Sequence, residues 1–186
     1  MLSAESGTMQ VRIREDSSSD ARKYIYYSTE DLERDLCRLP SGSGTVKSVT
    51  TSSYVRTVSA GEIVISLISR IAAIVQPERE GHLLTQNFAV IKPDDRIDPV
   101  YLVYLLNEDP YVRRQFLSER ASQVVKRINV SLLEEIKLPP LPQLEKQRLI
   151  GELYLNVKKL AFLQKEKARL QETAYLEEIR RVLSDD

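Results

Sequence analysis

Apolar residues fall into three successive regimes along this chain. From Thr45 to Ile91 they come in short, nearly continuous runs: a Thr-, Val- and Tyr-rich stretch over 45–58, then Ile63–Ile68, Ile71–Val75 and Leu83–Ile91. Runs of this length, separated by Ser59-Ala60-Gly61-Glu62 and Pro77–Gly81 and closed by Lys92-Pro93-Asp94-Asp95, predict β-strands, the most apolar of them buried. The period changes at Asp98-Pro99. An aspartate placed to cap and a proline suited to a first turn predict a helix carrying Val100, Leu102, Val103, Leu105 and Leu106. Asn107–Pro110 breaks it, a second helix follows through Val112, Phe116 and Leu117 to about Ala121, and a short one starts at Val130-Ser131. Upstream, Ser28 with Asp31 three places on predicts a capped helix whose face is Leu32, Leu36 and Leu39, stopped by Pro40. Ser41–Gly44 reads as a flexible loop.

The third regime follows Leu138-Pro139-Pro140-Leu141-Pro142. Three prolines in five residues exclude helix and central strand, so 139–143 reads as a stiff hinge. Beyond it no proline occurs up to Leu183, and the only glycine is Gly151. Tyr154, Ala161, Ala168, Tyr175 and Val182 recur every seven residues, and Ile150, Leu153, Val157, Leu160, Leu170 and Ile179 widen the stripe. That pattern predicts one long helix over 144–184, with Gly151 and the 171–173 region as its expected weak points. At ~1.5 Å per residue, about 40 residues reach ~60 Å, more than the preceding domain needs for its own core. The apolar stripe therefore predicts pairing with another helix, from a second chain; the alternative is a hairpin folded back on its own domain. The expected layout is α+β: a weakly structured segment over 1–20, one domain of twisted strands and short helices over 21–138, the hinge, and the coiled-coil-type helix. Within 1–20, Met9–Arg14 alternates like a short strand, and Asp20 is placed to cap a short helix.

Composition narrows the chemistry. With 27 basic and 27 acidic residues, the net charge is zero, so there is no global nucleic-acid footprint and any contact must be local. Cys37 and His82 are the only residues of their kinds, which leaves no basis for a metal site, a disulfide or a His-based triad. Cys37 reads as core, and Asp94-Asp95 as a solvated loop. No phosphate-binding loop or methyltransferase signature occurs, so neither catalysis nor a cofactor is expected. Residues 1–20 lack the apolar core of a signal peptide, and no run approaches a bilayer span; the expectation is a cytoplasmic protein with no membrane association.

Several stretches resemble a known family. Gly61–Ile68 and Gln86–Ile91 look like strands of a target-recognition domain. Asp98-Pro-Val-Tyr-Leu-Val-Tyr-Leu-Leu106 is similar to its "i-x-p-x-Y-L-x-Y-x-L" helix. Ile136-Lys-Leu-Pro-Pro-Leu-Pro142 with Leu144-Glu-Lys-Gln147 and Ile150 is similar to its closing "I-x-L-P-P-L-x-E-Q-x-x-I" stretch. In this order they resemble the specificity subunit of type I restriction-modification enzymes, over roughly residues 45–183.

The resemblance implies a half-subunit: one recognition domain and one spacer helix where the full subunit has two of each, with the helices antiparallel. A homodimer would rebuild the full arrangement. It implies double-stranded DNA and methyltransferase subunits as partners, with a restriction/translocase subunit as a further one. In this family the segment after the second helix and the strand-joining loops tend to face DNA. The implied contacts are therefore Lys126-Arg127 with Gln123 and Asn129, then Ser69-Arg70, Gln86-Asn87, and Lys47 with Arg56. The chain has no Trp, and residues 1–44 lack the family's Trp-containing opening segment. With the zero net charge, these departures support an alternative: a degenerate specificity-like interaction module that no longer reads DNA.

Overall fold

The computed structural model describes residues 2–16, 18–42, 46–118 and 127–184. Its centre is the strand β4 (Ile63–Ser66), whose apolar run is buried on both faces, as a continuous pattern demands. Strand β4 pairs antiparallel with β5 (Ala72–Ile74) on one side and with β6 (Phe88–Lys92) on the other, Val64 standing opposite Ala73 and Val90. On the far side of β6 lies β1 (Ser3–Ser6), with Ala4 opposite Ile91. The sheet order is thus β1-β6-β4-β5. Residues 3–6, read from sequence as weakly structured, are fixed by main-chain pairing. Their largely exposed Ser-Ala-Glu-Ser side chains carry no apolar signal. The alternation over 9–14 does not form a strand; Gln10–Arg12 is a 3-10 turn. Nor does Asp20 open a helix: a turn there leads into β2 (Arg22–Ile25).

Strand β2 pairs with β3 (Ser48–Thr51) in a separate two-stranded ribbon over a small core of Val49, Val55 and Leu83. Leu83 joins ribbon and sheet: its amide donates to the Ile25 carbonyl (2.7 Å) and its carbonyl accepts from the Tyr27 amide (2.9 Å). The stretch expected as one strand over 83–91 is therefore split between two partners. Gly7 passes so close to this segment that a Cβ would lie 2.3 Å from the Thr85 carbonyl oxygen, so no side chain fits.

Helix α1 (Thr29–Leu36) begins with the expected capping box between Ser28 and Asp31. Arg79, fully buried, anchors it: the guanidinium meets Asp35 at 2.9 Å and Asp31 at 3.2 Å. The Tyr27 hydroxyl donates to the other Asp35 oxygen at 2.6 Å. Burial raises the Asp35 carboxyl to about 6, against the pull of the Tyr27 hydroxyl, the Gln76 amide and Arg79.

Helices α2 (Pro99–Glu108) and α3 (Pro110–Ser118) follow, then α4 (Val130–Glu135) and α5 (Leu144–Ser184). Asp98 caps α2 by accepting from the amides of Val100 (3.0 Å) and Tyr101 (3.1 Å). Helix α2 packs between β5 and α5. At its far end the buried Asn107 carboxamide bonds both the amide and the carbonyl of Ala72, at 2.7 and 2.9 Å, stitching the edge strand to the helix.

Candidate functional site

Helix α5 runs unbroken for 41 residues, through Gly151 and through 171–173. Gly151 marks a close crossing: a Cβ there would stand 2.9 Å from the backbone of Val100 and Tyr101. One turn earlier the buried Gln147 closes the joint. Its Oε1 accepts from the Asp98 amide (2.9 Å), and its Nε2 donates to the carbonyls of Arg96 (3.1 Å) and Pro142 (2.8 Å). One side chain thus fixes the end of the proline segment, the start of α5 and the loop before α2. Further along, Tyr154 packs on Tyr104 (centroids 5.6 Å apart) and donates to Glu108 at 3.2 Å; burial pushes its phenol above the ordinary range. Arg38 grips Glu152 through two bonds of 2.6 and 2.7 Å. Helix α5 is therefore docked on α2 and α1 over its first turns, and it does not fold back as a hairpin.

The opposite side of α5 is apolar and uncovered. Leu149 is 71% exposed, Leu153 64%, Val157 53%, Leu160 58%, Tyr175 69%, Ile179 55% and Val182 63%. Among the residues expected in the helix seam, Leu153, Val157, Leu160, Ala161, Ala168, Tyr175, Ile179 and Val182 are exposed. Tyr154 is buried and Ile150 half-buried, because they face their own domain. Sequence reasoning missed Leu149, Leu163, Leu176 and Leu183 as exposed apolar positions. Its seven-residue count was anchored on Tyr154, which belongs to the docked face.

The residues proposed to meet DNA fall into groups. At one end of the sheet the turn from β4 to β5 holds Ser69 and Arg70. There the Ser66 hydroxyl accepts from the Ser69 amide (3.1 Å), and Arg70 takes a left-handed φ of 62°. The Leu67 amide donates to the Asn87 carbonyl (2.8 Å) and the Ile128 amide to the Leu67 carbonyl (2.9 Å). The Arg127 guanidinium donates to the Gln86 carbonyl. These bonds gather Ser69, Arg70, Gln86, Asn87 and Arg127 at one edge, with Asn129 capping α4 beside them. Gln123 and Lys126 lie outside the described residues. Lys47 is exposed beside the two-stranded ribbon. Arg56 is held by Glu62 at 2.7 Å and Glu5 at 3.4 Å, an internal ion network invisible to sequence spacing. Among the described residues no group of three His, Cys, Asp or Glu side chains could hold a metal ion, and no helix is long and apolar enough to cross a membrane.

No family model and no curated protein matches this sequence. Solved structures do share its fold. The HsdS subunit from Thermoanaerobacter tengcongensis aligns with a TM-score of 0.56 at 18% identity, over 89% of this chain and 43% of that one. A chain from a study of complex assembly and conformational transition in the type I R-M system aligns with a TM-score of 0.57 at 15% identity, over 96% of this chain and 41% of that one. The chain thus has the α+β architecture with a long terminal helix found in type I restriction-modification specificity subunits, and it spans about two fifths of their length.

Proposed function

We propose that this chain is a DNA-recognition half-subunit of a type I restriction-modification system, pairing through α5 and recruiting methyltransferase subunits, with a restriction/translocase subunit as a further partner. One observation carries the reading. A domain with the fold of roughly half a specificity chain is joined rigidly to a 41-residue helix whose outer face is apolar and uncovered. Such a face is stable in water only when another helix covers it. The edge formed by Ser69, Arg70, Gln86, Asn87 and Arg127 is the proposed DNA side, with Gln123, Lys126, Asn129, Lys47 and Arg56 as further candidates. Arg and the carboxamides suit base edges, and Arg and Lys suit phosphates. On this reading the chain itself performs no catalysis. The test is a gel-shift series on the chain with its methyltransferase, using random duplexes at low salt; no retained sequence would overturn DNA recognition.

A second reading, an interaction module that no longer reads DNA, is favoured by the zero net charge. A chain that captures a methyltransferase but shows no salt-dependent DNA binding would decide for it.

A further inference from the structure

Residues 9–12 form an arch that is clamped at both ends and buries nothing of its own. Before it, Gly7 lies tight against the Thr85 carbonyl. The Thr8 amide donates to the Leu84 carbonyl (2.8 Å), its carbonyl accepts from the Gln86 amide (2.9 Å), and its hydroxyl accepts from the Arg56 amide (2.7 Å). After it, Ile13 packs on the small core under the ribbon, and the Asp16 carboxylate accepts from the amide and hydroxyl of Ser52. The arch itself is set by the Arg12 amide donating to the Met9 carbonyl (2.9 Å) and the Ile13 amide to the Gln10 carbonyl (3.1 Å). Between the clamps Met9, Gln10, Val11 and Arg12 are all exposed, Val11 at 86%. A segment ordered by its neighbours, with every side chain turned outward, has the construction of a recognition loop on a rigid scaffold.

The position of the arch points to what it meets. Gln86 is bonded on both sides, its amide to Thr8 and its carbonyl to the Arg127 guanidinium. The arch therefore begins directly beside the edge that holds Ser69, Arg70, Asn87 and Arg127. Resting on the reading of this chain as a DNA reader, we propose that Gln10–Arg12 is a base-reading tip of that edge, entering the major groove. The mixture of side chains separates bases from phosphates. A surface for phosphates alone is built from cations and small polar donors, and aliphatic side chains add nothing to it. Here Met9, Val11 and the 54% exposed Ile68 of the β4–β5 turn stand among Gln10, Arg12 and Arg70. The major groove offers counterparts for both kinds: hydrogen-bonding edges on adenine and guanine, and the C5 methyl of thymine, which the minor groove lacks. Gln10 suits N6 and N7 of adenine, Arg12 suits O6 and N7 of guanine, and Val11 between them suits a thymine methyl. A single turn fits a groove about 12 Å wide.

Selection from a pool of random duplexes, with the full chain and its methyltransferase, tests the tip. Gln10→Ala and Arg12→Ala complexes should each lose preference at one or two adjacent positions of the wild-type site and keep the rest. At those positions discrimination should fall by about 5- to 150-fold. Uracil in place of the thymine read by Val11 should weaken wild-type binding about fourfold, the worth of one buried methyl, and should leave Val11→Ala unaffected. Gln10→Glu is the second variant should an alanine lower the unfolding midpoint; it should move the preference from adenine toward cytosine. An unchanged selected site in all variants overturns the inference and leaves DNA reading standing. Uniform weakening with an unchanged site assigns the turn to phosphates and overturns base reading. Loss of methyltransferase capture in Val11→Ala makes the arch a protein contact and overturns it as well. A wild-type complex that selects no sequence overturns the DNA reading, and this inference with it.

Discussion

Replacing Gln147 by alanine should separate reader from helix without touching either core. The side chain is buried, and it satisfies two carbonyls and one amide drawn from two segments, the loop before α2 and the proline segment. Alanine leaves all three without that partner. At roughly 1 kcal/mol per bond lost and more for a group that water cannot reach, the expected loss is ~2–4 kcal/mol, against a total stability of about 5–15 kcal/mol. With a urea m-value of about 1–3 kcal/mol/M, the unfolding midpoint should fall by ~1–2 M. The control is Arg148→Ala, one residue on. Arg148 is largely exposed and meets Asp98 only at 3.7 Å, so its removal should cost under ~0.5 kcal/mol. Gln147→Glu adds a sharper comparison: it keeps an acceptor for the Asp98 amide but sets a carboxylate against two carbonyl oxygens. Its deficit should be at least as large at neutral pH and should shrink on acidification, as the carboxyl gains a proton to donate. If Gln147→Ala unfolds at the same urea concentration as Arg148→Ala, the joint is not held by this residue and the reasoning fails.

Gly151→Ala should destabilise despite alanine's better helix propensity of up to ~1 kcal/mol, because overpacking against the α2 backbone costs about 1–3 kcal/mol; a gain in melting temperature would refute the close crossing. Asp35 holds a proton in the folded state from its ordinary value of 3.8 up to about 6. Its contribution to stability should therefore fall as pH rises through that window and stay level above it, on the order of 3 kcal/mol in all. Asp35→Asn should lack that slope; denaturation curves from pH 4 to 7 that keep it would assign the effect to another group. The half-buried His82 ring, held below its ordinary value by burial, gives the opposite slope in both proteins and so drops out of the comparison. Arg127→Ala should lower DNA affinity and reduce the slope of log K against log salt by ~1; weaker binding with an unchanged slope would leave Arg127 only its bond to the Gln86 carbonyl. Leu160→Lys should convert a dimer to a monomer in sedimentation, and an unchanged mass would count against the exposed face as the seam.

Sequence patterning reached the parts of the fold that use strong local chemistry. The Ser28–Asp31 capping box, the Asp98 cap, the buried run of β4 and the unbroken α5 all rest on residues that state their own conformation. It missed what depends on distant backbone. Strand β1 is held by main-chain bonds to β6, 80-odd residues away, with side chains that carry no pattern. The ion network around Arg56 and the buried Arg79 cluster look like surface charge until the fold closes over them. Helix α5 is the instructive case, because two apolar faces are written over one another. Tyr154, Leu155 and Gly151 serve the docked face, and Leu149, Leu153, Val157 and Leu160 serve the outer one. Counting every apolar residue together merges the two faces. Only subtraction of the residues used by the domain exposes the outer apolar face. The joint and the outer face then have one cause. Gln147 and Gly151 fix the rotation of α5 about its axis, and that rotation points the outer series away from the domain. A change at the joint should therefore alter pairing at residues 160–182 without touching them.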